Sequence, residues 1–193
     1  AGLTARSALV LRDMLTLQMV RRHDAVDSDL VVADDHQGVG DATRQLLSKG
    51  HRRIAYVGGG PGTLSTGQER LNGYLAALAT AGLSEQARYE LGPPQPDFGH
   101  AATRKLLLDF DPPDAIVLGS SQLTIGFLNA VAEIGLPVPE KLSFTGYDDP
   151  DWFALWGPGI STVRLPFNEI ARAVASLAAG QKINARGASI ETT

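Results

Sequence analysis

Residues 113–149 read PDAIVLGSSQLTIGFLNAVAEIGLPVPEKLSFTGYDD, and this stretch decides the fold. It begins with a short apolar run at 115–119, which predicts a strand buried on both faces. An amphipathic run at 122–134 predicts a helix, and Gly135 follows it where a helix end needs a positive φ. A second apolar run at 142–147 predicts another strand. A strand, a helix and a strand in this order predict two parallel strands joined by a helical crossover.

The same alternation continues through the rest of the chain, which predicts an α/β fold with parallel, Rossmann-like sheets covered by helices. The other predicted strands are 15–20, 30–33, 54–58, 88–91 and 161–165, and the other predicted helices are roughly 2–13, 38–49, 67–81, 98–109 and 167–179.

Composition excludes several classes of protein. The chain has 193 residues, a formal net charge of -4 and no cysteine. It therefore has no disulfide, no thiolate metal ligand and no cysteine nucleophile, and its charge balance does not indicate a nucleic-acid surface. No apolar run approaches the roughly 20 residues that cross a bilayer. We expect a cytoplasmic protein.

The stretch KGHRRIAYVGGGPG, residues 49–62, raises the question of a phosphate-binding loop. Gly58 and Gly60 fit a dinucleotide fingerprint, but Thr63 stands where its third glycine belongs. The following GTLSTGQE has Gln68 in place of the lysine of a P-loop. The glycines are therefore interpreted as a sharp turn after a buried strand.

Catalytic and metal sites are not indicated. The four histidines have no metal-binding spacing, and Ser120-Ser121 does not fit the nucleophile elbow of a hydrolase. The acidic pairs Asp34-Asp35 and Asp148-Asp149 each follow a predicted strand, where open α/β sheets bind ligands. These features predict a binding site, no enzyme activity, no metal and no cofactor.

Four blocks together resemble the lactose/galactose repressor family of bacterial transcriptional regulators. They are GHRRIAYVGG (50–59), QERLNGYLAALATAGL (68–83), the stretch 113–149 and PGISTVRLPFNEIA (158–171). The resemblance implies the periplasmic-binding-protein-like core of a repressor, with two α/β lobes facing each other across a cleft. It implies a sugar-responsive regulator in which a small effector, a sugar or sugar derivative, binds in the cleft and alters operator affinity.

The resemblance also implies the domain organisation. Residues 1–35 are expected in the N-terminal lobe, 36–165 form the C-terminal lobe, and 166–193 return to the first lobe. That lobe is expected to be incomplete. The DNA-binding headpiece that contacts the operator is expected before residue 1, and a closing strand after Thr193.

A homodimer is the implied assembly, with the predicted helix 122–134 and the strand near Ile160–Arg164 as candidate contacts. The apolar positions Ile125, Leu128 and Val131 fit either a dimer interface or the core of the chain.

The resemblance assigns ligand contacts to individual residues. Asp148 matches a ligand-binding aspartate, with a turn or cap as the alternative role. Arg70 matches an effector-holding arginine, with a solvated helix-face charge as the alternative. Thr66 matches a polar contact and Phe98 a stacking aromatic, although Phe98 also fits packing into the core. Phe167 is a weaker candidate that also fits packing.

Three departures from the family pattern bear on the ligand. Ser120-Ser121 replace an Asn-Asp pair, which leaves a roomier wall or one that contacts ligand through water. Arg21 stands where an aspartate is usual, and Leu165 replaces a polar glutamine. Two arginines, Arg21 and Arg70, in one cleft favour an effector smaller or more anionic than a plain hexose.

Two alternatives remain at this point. A periplasmic or lipid-anchored sugar-binding protein has the same two lobes, and a Rossmann-type enzyme has similar sheets. A Rossmann-type enzyme needs the phosphate-binding fingerprint that residues 58–63 lack.

Overall fold

A five-stranded parallel sheet lies at the centre of the structure, a computed structural model that describes residues 10, 16–21, 28–60, 65–157 and 159–179. The strands are β1 (Leu17–Met19), β2 (Asp29–Val31), β3 (Ile54–Gly59), β4 (Arg88–Gly92), β5 (Ala115–Leu118), β6 (Ser143–Tyr147) and β7 (Thr162–Val163). The helices are α1 (Asp35–Ser48), α2 (Ser65–Thr80), α3 (Pro96–Leu107), α4 (Ser121–Ile134) and α5 (Phe167–Ala178). Short 3₁₀ helices span Ser84–Gln86 and Asp151–Leu155.

Both sheets are parallel, as predicted. The larger sheet has the order β4-β3-β5-β6-β7, and β1 pairs with β2 in a separate two-stranded sheet. The predicted strands at 15–20 and 161–165 are shorter than expected, with three and two residues. The predicted helix at 2–13 lies outside the described residues apart from Val10.

The central strands are apolar on both sides because helices cover both faces of the sheet. On one face, Ile54 and Tyr56 of β3 pack in a cluster with residues of α1 and α2. On the other face, Ala55 and Val57 pack with residues of α3 and α4. The alternation of one strand between two clusters explains why its sequence shows no polar side.

Two apolar residues of α4 that were candidate dimer contacts belong to the chain's own core. Leu128 is 7% exposed and Val131 is 2% exposed, and both pack in the cluster beneath α3 and α4. Burial within the chain makes them unavailable to a second subunit, so the core interpretation is correct for these two positions.

One hydrophobic cluster joins the two sheets. Val31 of β2, Val163 of β7 and Ile170 of α5 belong to it, and Leu17 of β1 packs against it. The predicted lobe limits at 35/36 and 165/166 therefore lie close to residues of a core that both sheets share. The division of the chain into lobes stays a prediction.

Close packing of α3 on α4 requires a glycine. A Cβ atom on Gly126 would overlap the carbonyl oxygen of Pro96 and lie 2.5 Å from the amide nitrogen of His100. We predict that Gly126→Ala destabilises the protein by about 1–3 kcal/mol, measured by urea unfolding, because the overlap is with backbone that cannot rotate away.

Gly40→Ala is the matched control within α1. Its added Cβ would lie 3.1 Å from the flexible end of Arg44. The control is expected to change stability by less than about 1 kcal/mol, since alanine also favours the helix. Equal effects of the two substitutions would contradict this account of the packing.

Candidate functional site

A pocket of about 380 Å³ opens at the carboxyl ends of the central strands. Gly59 is the last residue of β3 and Tyr147 the last of β6, while Gly119 and Asp148 directly follow β5 and β6. Parallel α/β sheets bind ligands at this edge because the strand ends and helix N-termini present free backbone groups there. Val20, after β1, closes the pocket from the side of the two-stranded sheet.

Most of the residues predicted to bind ligand line this pocket. They are Asp148, Arg70, Thr66, Ser120, Arg21 and Phe167. The sequence separates these residues by as many as 146 positions, and the parallel topology brings them to one edge. Their roles as ligand contacts remain predictions.

Phe98 does not line the pocket. Its ring packs against Gly92 and is a partly buried member of the cluster around α3 and α4. The pocket is lined at this side by Pro94 instead. The structure thus places Phe98 in the core position that its sequence context also allowed.

Arg70 is fixed by three neighbours. Its Nε donates a hydrogen bond to Asp35 Oδ1 at 2.8 Å, and its Nη1 donates to the carbonyl of Gly119 at 2.7 Å. Its guanidinium carbon lies 3.7 Å from the centroid of the Tyr147 ring. The side chain is only 14% exposed, so it is not a solvated helix-face charge. Two hydrogen bonds occupy two of its five N–H donors, which leaves capacity for a ligand.

Asp35 is the counter-charge that permits this burial. It lies in the first turn of α1, is 5% exposed, and accepts hydrogen bonds from Arg70 and from the Tyr147 hydroxyl. Burial lowers the pKa of Arg70, but the neighbouring Tyr147 and Asp35 outweigh it and the net pKa is raised. Burial also raises the pKa of Tyr147, although Arg70 opposes it. Arg70 is therefore charged and Tyr147 neutral at physiological pH.

One of the glycines that resembled a phosphate loop, Gly58, leaves room for Tyr56, as does Gly119 after β5. A Cβ on Gly58 would overlap the Tyr56 ring, and one on Gly119 would lie 2.6 Å from the Tyr56 hydroxyl oxygen. This hydroxyl is buried with no hydrogen-bond partner among the described residues. Burial raises the pKa of Tyr56, with Arg70 opposing.

Sequence reasoning missed Asp35 and Tyr147. Both lie beside recognised features, since Asp35 belongs to an acidic pair and Tyr147 precedes the predicted ligand-binding aspartate. The sequence offers no sign of their contact because 112 positions separate them. The one clue is that Asp35 comes after β2 and Tyr147 ends β6, because the carboxyl ends of parallel strands are where α/β proteins bind ligands.

The two non-glycine residues with positive φ in the described structure both line the pocket. Val20 has φ 66° and Asp148 has φ 77°. Such backbone costs of order 1–3 kcal/mol and tends to persist at functional sites. The amide of Asp148 donates to the carbonyl of Val163 at 2.9 Å, which holds the turn after β6. Its carboxylate accepts from the amide of Asp149 at 3.2 Å and retains further acceptor capacity.

Hydroxyl and apolar groups complete the walls. Thr66 is buried beside Arg70 in the same helix, and Ser120 is the N-cap of α4, where its Oγ accepts from the amide of Leu123 at 3.3 Å. Phe167, at the start of α5, is 53% exposed and presents an aromatic face at the margin. Leu165 adds a buried apolar surface. The pocket thus combines polar groups with apolar faces.

The formal charges around the pocket balance among the described residues. Arg21 and Arg70 are cations, and Asp148 and Asp35 are anions. The inference of an anionic effector counted both arginines and omitted Asp35. Because Asp35 already pairs with Arg70, the two arginines alone do not favour an anionic ligand over a neutral one, and the charge of the effector stays a prediction.

Within the described part of the chain, no cluster of three or more His, Cys, Asp or Glu side chains could hold a metal ion. No described helix is long and apolar enough to span a membrane.

Comparison with known proteins identifies the fold family. Residues 43–193 match the family described as the periplasmic binding protein-like domain. The chain belongs to this family. The resemblance to the lactose/galactose repressor family is confirmed. Relatives of this domain are named as transcriptional repressors, and solved structures of LacI-family regulators match its fold.

The ribose operon repressor of Escherichia coli (strain K12) is 34% identical over 145 residues, covering 75% of this chain and 44% of that protein. A LacI transcriptional regulator from a Rhodococcus species has a TM-score of 0.81 at 27% identity, covering 94% of this chain and 69% of that chain. A LacI family regulator from Enterococcus faecium with bound ribose has a TM-score of 0.74 at 25% identity, covering 83% of this chain and 59% of that chain.

These relatives are regulators by name rather than enzymes, and they do not favour the transport-protein alternative. This periplasmic binding protein-like domain spans 44% of the length of the ribose operon repressor that it matches.

The strained turn at Asp148 yields a stability prediction. Asp148→Gly and Asp148→Ala both remove the carboxylate, but only glycine relieves the positive φ. We expect the glycine variant to be more stable than the alanine variant by about 1 kcal/mol in urea unfolding. At Asp149, whose φ is not positive, the order is expected to reverse. The same order at both positions would refute strain at Asp148.

Proposed function

We propose that the chain is the ligand-sensing core of a sugar-responsive, DNA-binding transcriptional regulator. A small neutral sugar binds in the pocket at the carboxyl edge of the five-stranded sheet. Binding alters the affinity of the whole protein for its operator.

The proposal rests on the kinds of side chain that line this pocket. It offers a carboxylate at Asp148, guanidinium donors at Arg70, hydroxyls at Thr66 and Ser120, and an aromatic face at Phe167. Vicinal hydroxyls of a sugar need paired acceptors and donors, and the ring needs an apolar face. A volume of about 380 Å³ lies at the small end of ligand pockets and suits a monosaccharide.

The relatives support the class of ligand. One is named for a ribose operon and another was solved with ribose bound. The balanced charge of the pocket supports a neutral sugar over a phosphate or acid. Ribose is therefore the first compound to test.

Coupling to DNA would arise because the pocket walls come from different parts of the fold. Val20 and Arg21 follow β1 of the small sheet, whereas Asp148 follows β6 of the large one. A ligand that contacts both walls favours one relative position over another. Such coupling energies are typically about 1–3 kcal/mol.

The remaining parts of the proposal concern the whole protein. It acts in the cytoplasm as a homodimer and contacts the operator through a DNA-binding headpiece outside this chain. The repressor names of the relatives support operator binding.

A ligand screen on this chain tests the proposal. We expect a neutral monosaccharide such as D-ribose, D-xylose or D-galactose to raise the unfolding temperature, because a ligand of the native state stabilises it by mass action. Titration calorimetry should show that Asp148→Asn weakens binding of that sugar roughly 10- to 100-fold, since a charge-assisted hydrogen bond is lost. Tighter binding of D-ribose 5-phosphate than of every neutral sugar would contradict the neutral-ligand assignment.

The regulatory part needs the longer protein that includes this chain. Addition of that sugar, at a concentration close to its Kd for the native protein, should change the affinity for operator DNA in a gel-shift titration. Asp148→Asn should remove most of the change at the same concentration, because the variant is then largely unoccupied. An operator affinity that is unaffected by any bound sugar would refute the regulatory role.

A further inference from the structure

Asp35 differs from the other acidic group at the site in its access to ligand. Asp148 lines the pocket, whereas Asp35 lies behind Arg70, is 5% exposed and is not among the lining residues. Its Oδ1 is held by Arg70 Nε at 2.8 Å and by the Tyr147 hydroxyl. A ligand in the pocket can therefore reach Arg70 directly, whereas Asp35 lies beyond the lining residues.

The position of Asp35 decides what a ligand encounters at Arg70. A buried guanidinium needs a counter-charge, which either the protein or an anionic ligand can supply. Here the protein supplies it permanently. Arg70 therefore offers hydrogen-bond donors to a ligand without a net positive charge. Of the other charged residues lining the pocket, the Asp148 carboxylate offsets the cation of Arg21.

We propose that Asp35 is a specificity-determining residue that makes the pocket select neutral ligands over anionic ones. This rests on the proposed function, since it explains how the sensing pocket chooses its effector class. Asp35 acts through Arg70 and is a positioning residue that does not touch the ligand.

The substitution Asp35→Asn tests the proposal because it removes the charge and keeps the shape. An asparagine oxygen can still accept from Arg70 and Tyr147. We expect affinity for inorganic phosphate and for D-glucuronate to rise about tenfold, as Arg70 becomes a cation without a counter-charge. Affinity for neutral sugars should change much less, so the ratio of anion to neutral-sugar affinity is the diagnostic quantity. Titration calorimetry at constant ionic strength and pH measures both.

Asp41→Asn is the matched control. Asp41 lies in the same helix, pairs with Arg44 near the surface and does not line this pocket. Both substitutions change the formal net charge from -4 to -3, so general electrostatic effects are equal. A rise in anion affinity for Asp35→Asn no larger than for Asp41→Asn would overturn the proposal.

The native protein gives a second test that does not depend on folding of the variant. Native protein should bind inorganic phosphate at least tenfold more weakly than its preferred neutral sugar. Phosphate binding of equal strength that Arg70→Gln abolishes would overturn the role of Asp35. If Asp35→Asn gains phosphate affinity but no sugar binds the native protein, the proposed function fails and the role of Asp35 in charge selection stands.

Discussion

The buried ion pair between Arg70 and Asp35 is the interaction on which the rest of the site depends. The two side chains come from α2 and α1, and each also contacts the large sheet, through the carbonyl of Gly119 and the hydroxyl of Tyr147. Moving a single charge out of water costs several kcal/mol, so neither residue is stable at this depth without the other. The pair ties two helices to the ends of β5 and β6 at the edge where the pocket opens.

This arrangement would pre-organise the pocket for the proposed ligand. Arg70 is held by hydrogen bonds and by the face of Tyr147, so little side-chain freedom remains to be lost on binding. Val20 and Asp148, both with positive φ, line the same pocket. Strained backbone of this kind is common at functional sites, which supports the proposed role of the pocket.

Much of the fold could be predicted from the sequence because its cause is local. Apolar runs such as 115–118, followed by amphipathic helices, fix a parallel sheet. Parallel strands place their carboxyl ends at one edge, which is enough to gather Thr66, Ser120 and Asp148 around one pocket. The features that escaped prediction depend on contacts between distant positions. Asp35 meets Tyr147 only in the folded chain, and without that contact Arg70 looked like an unbalanced cation.

The central claim is that a neutral sugar binds beside an intact Arg70–Asp35 pair. A crystal structure of the protein soaked with the neutral monosaccharide that binds best tests it most directly. The account predicts sugar hydroxyls within hydrogen-bond distance of the Asp148 carboxylate and of Arg70, with the Nε of Arg70 still bonded to Asp35. A sugar bound away from this pocket, or a sugar that contacts Asp35 in place of Arg70, would contradict it.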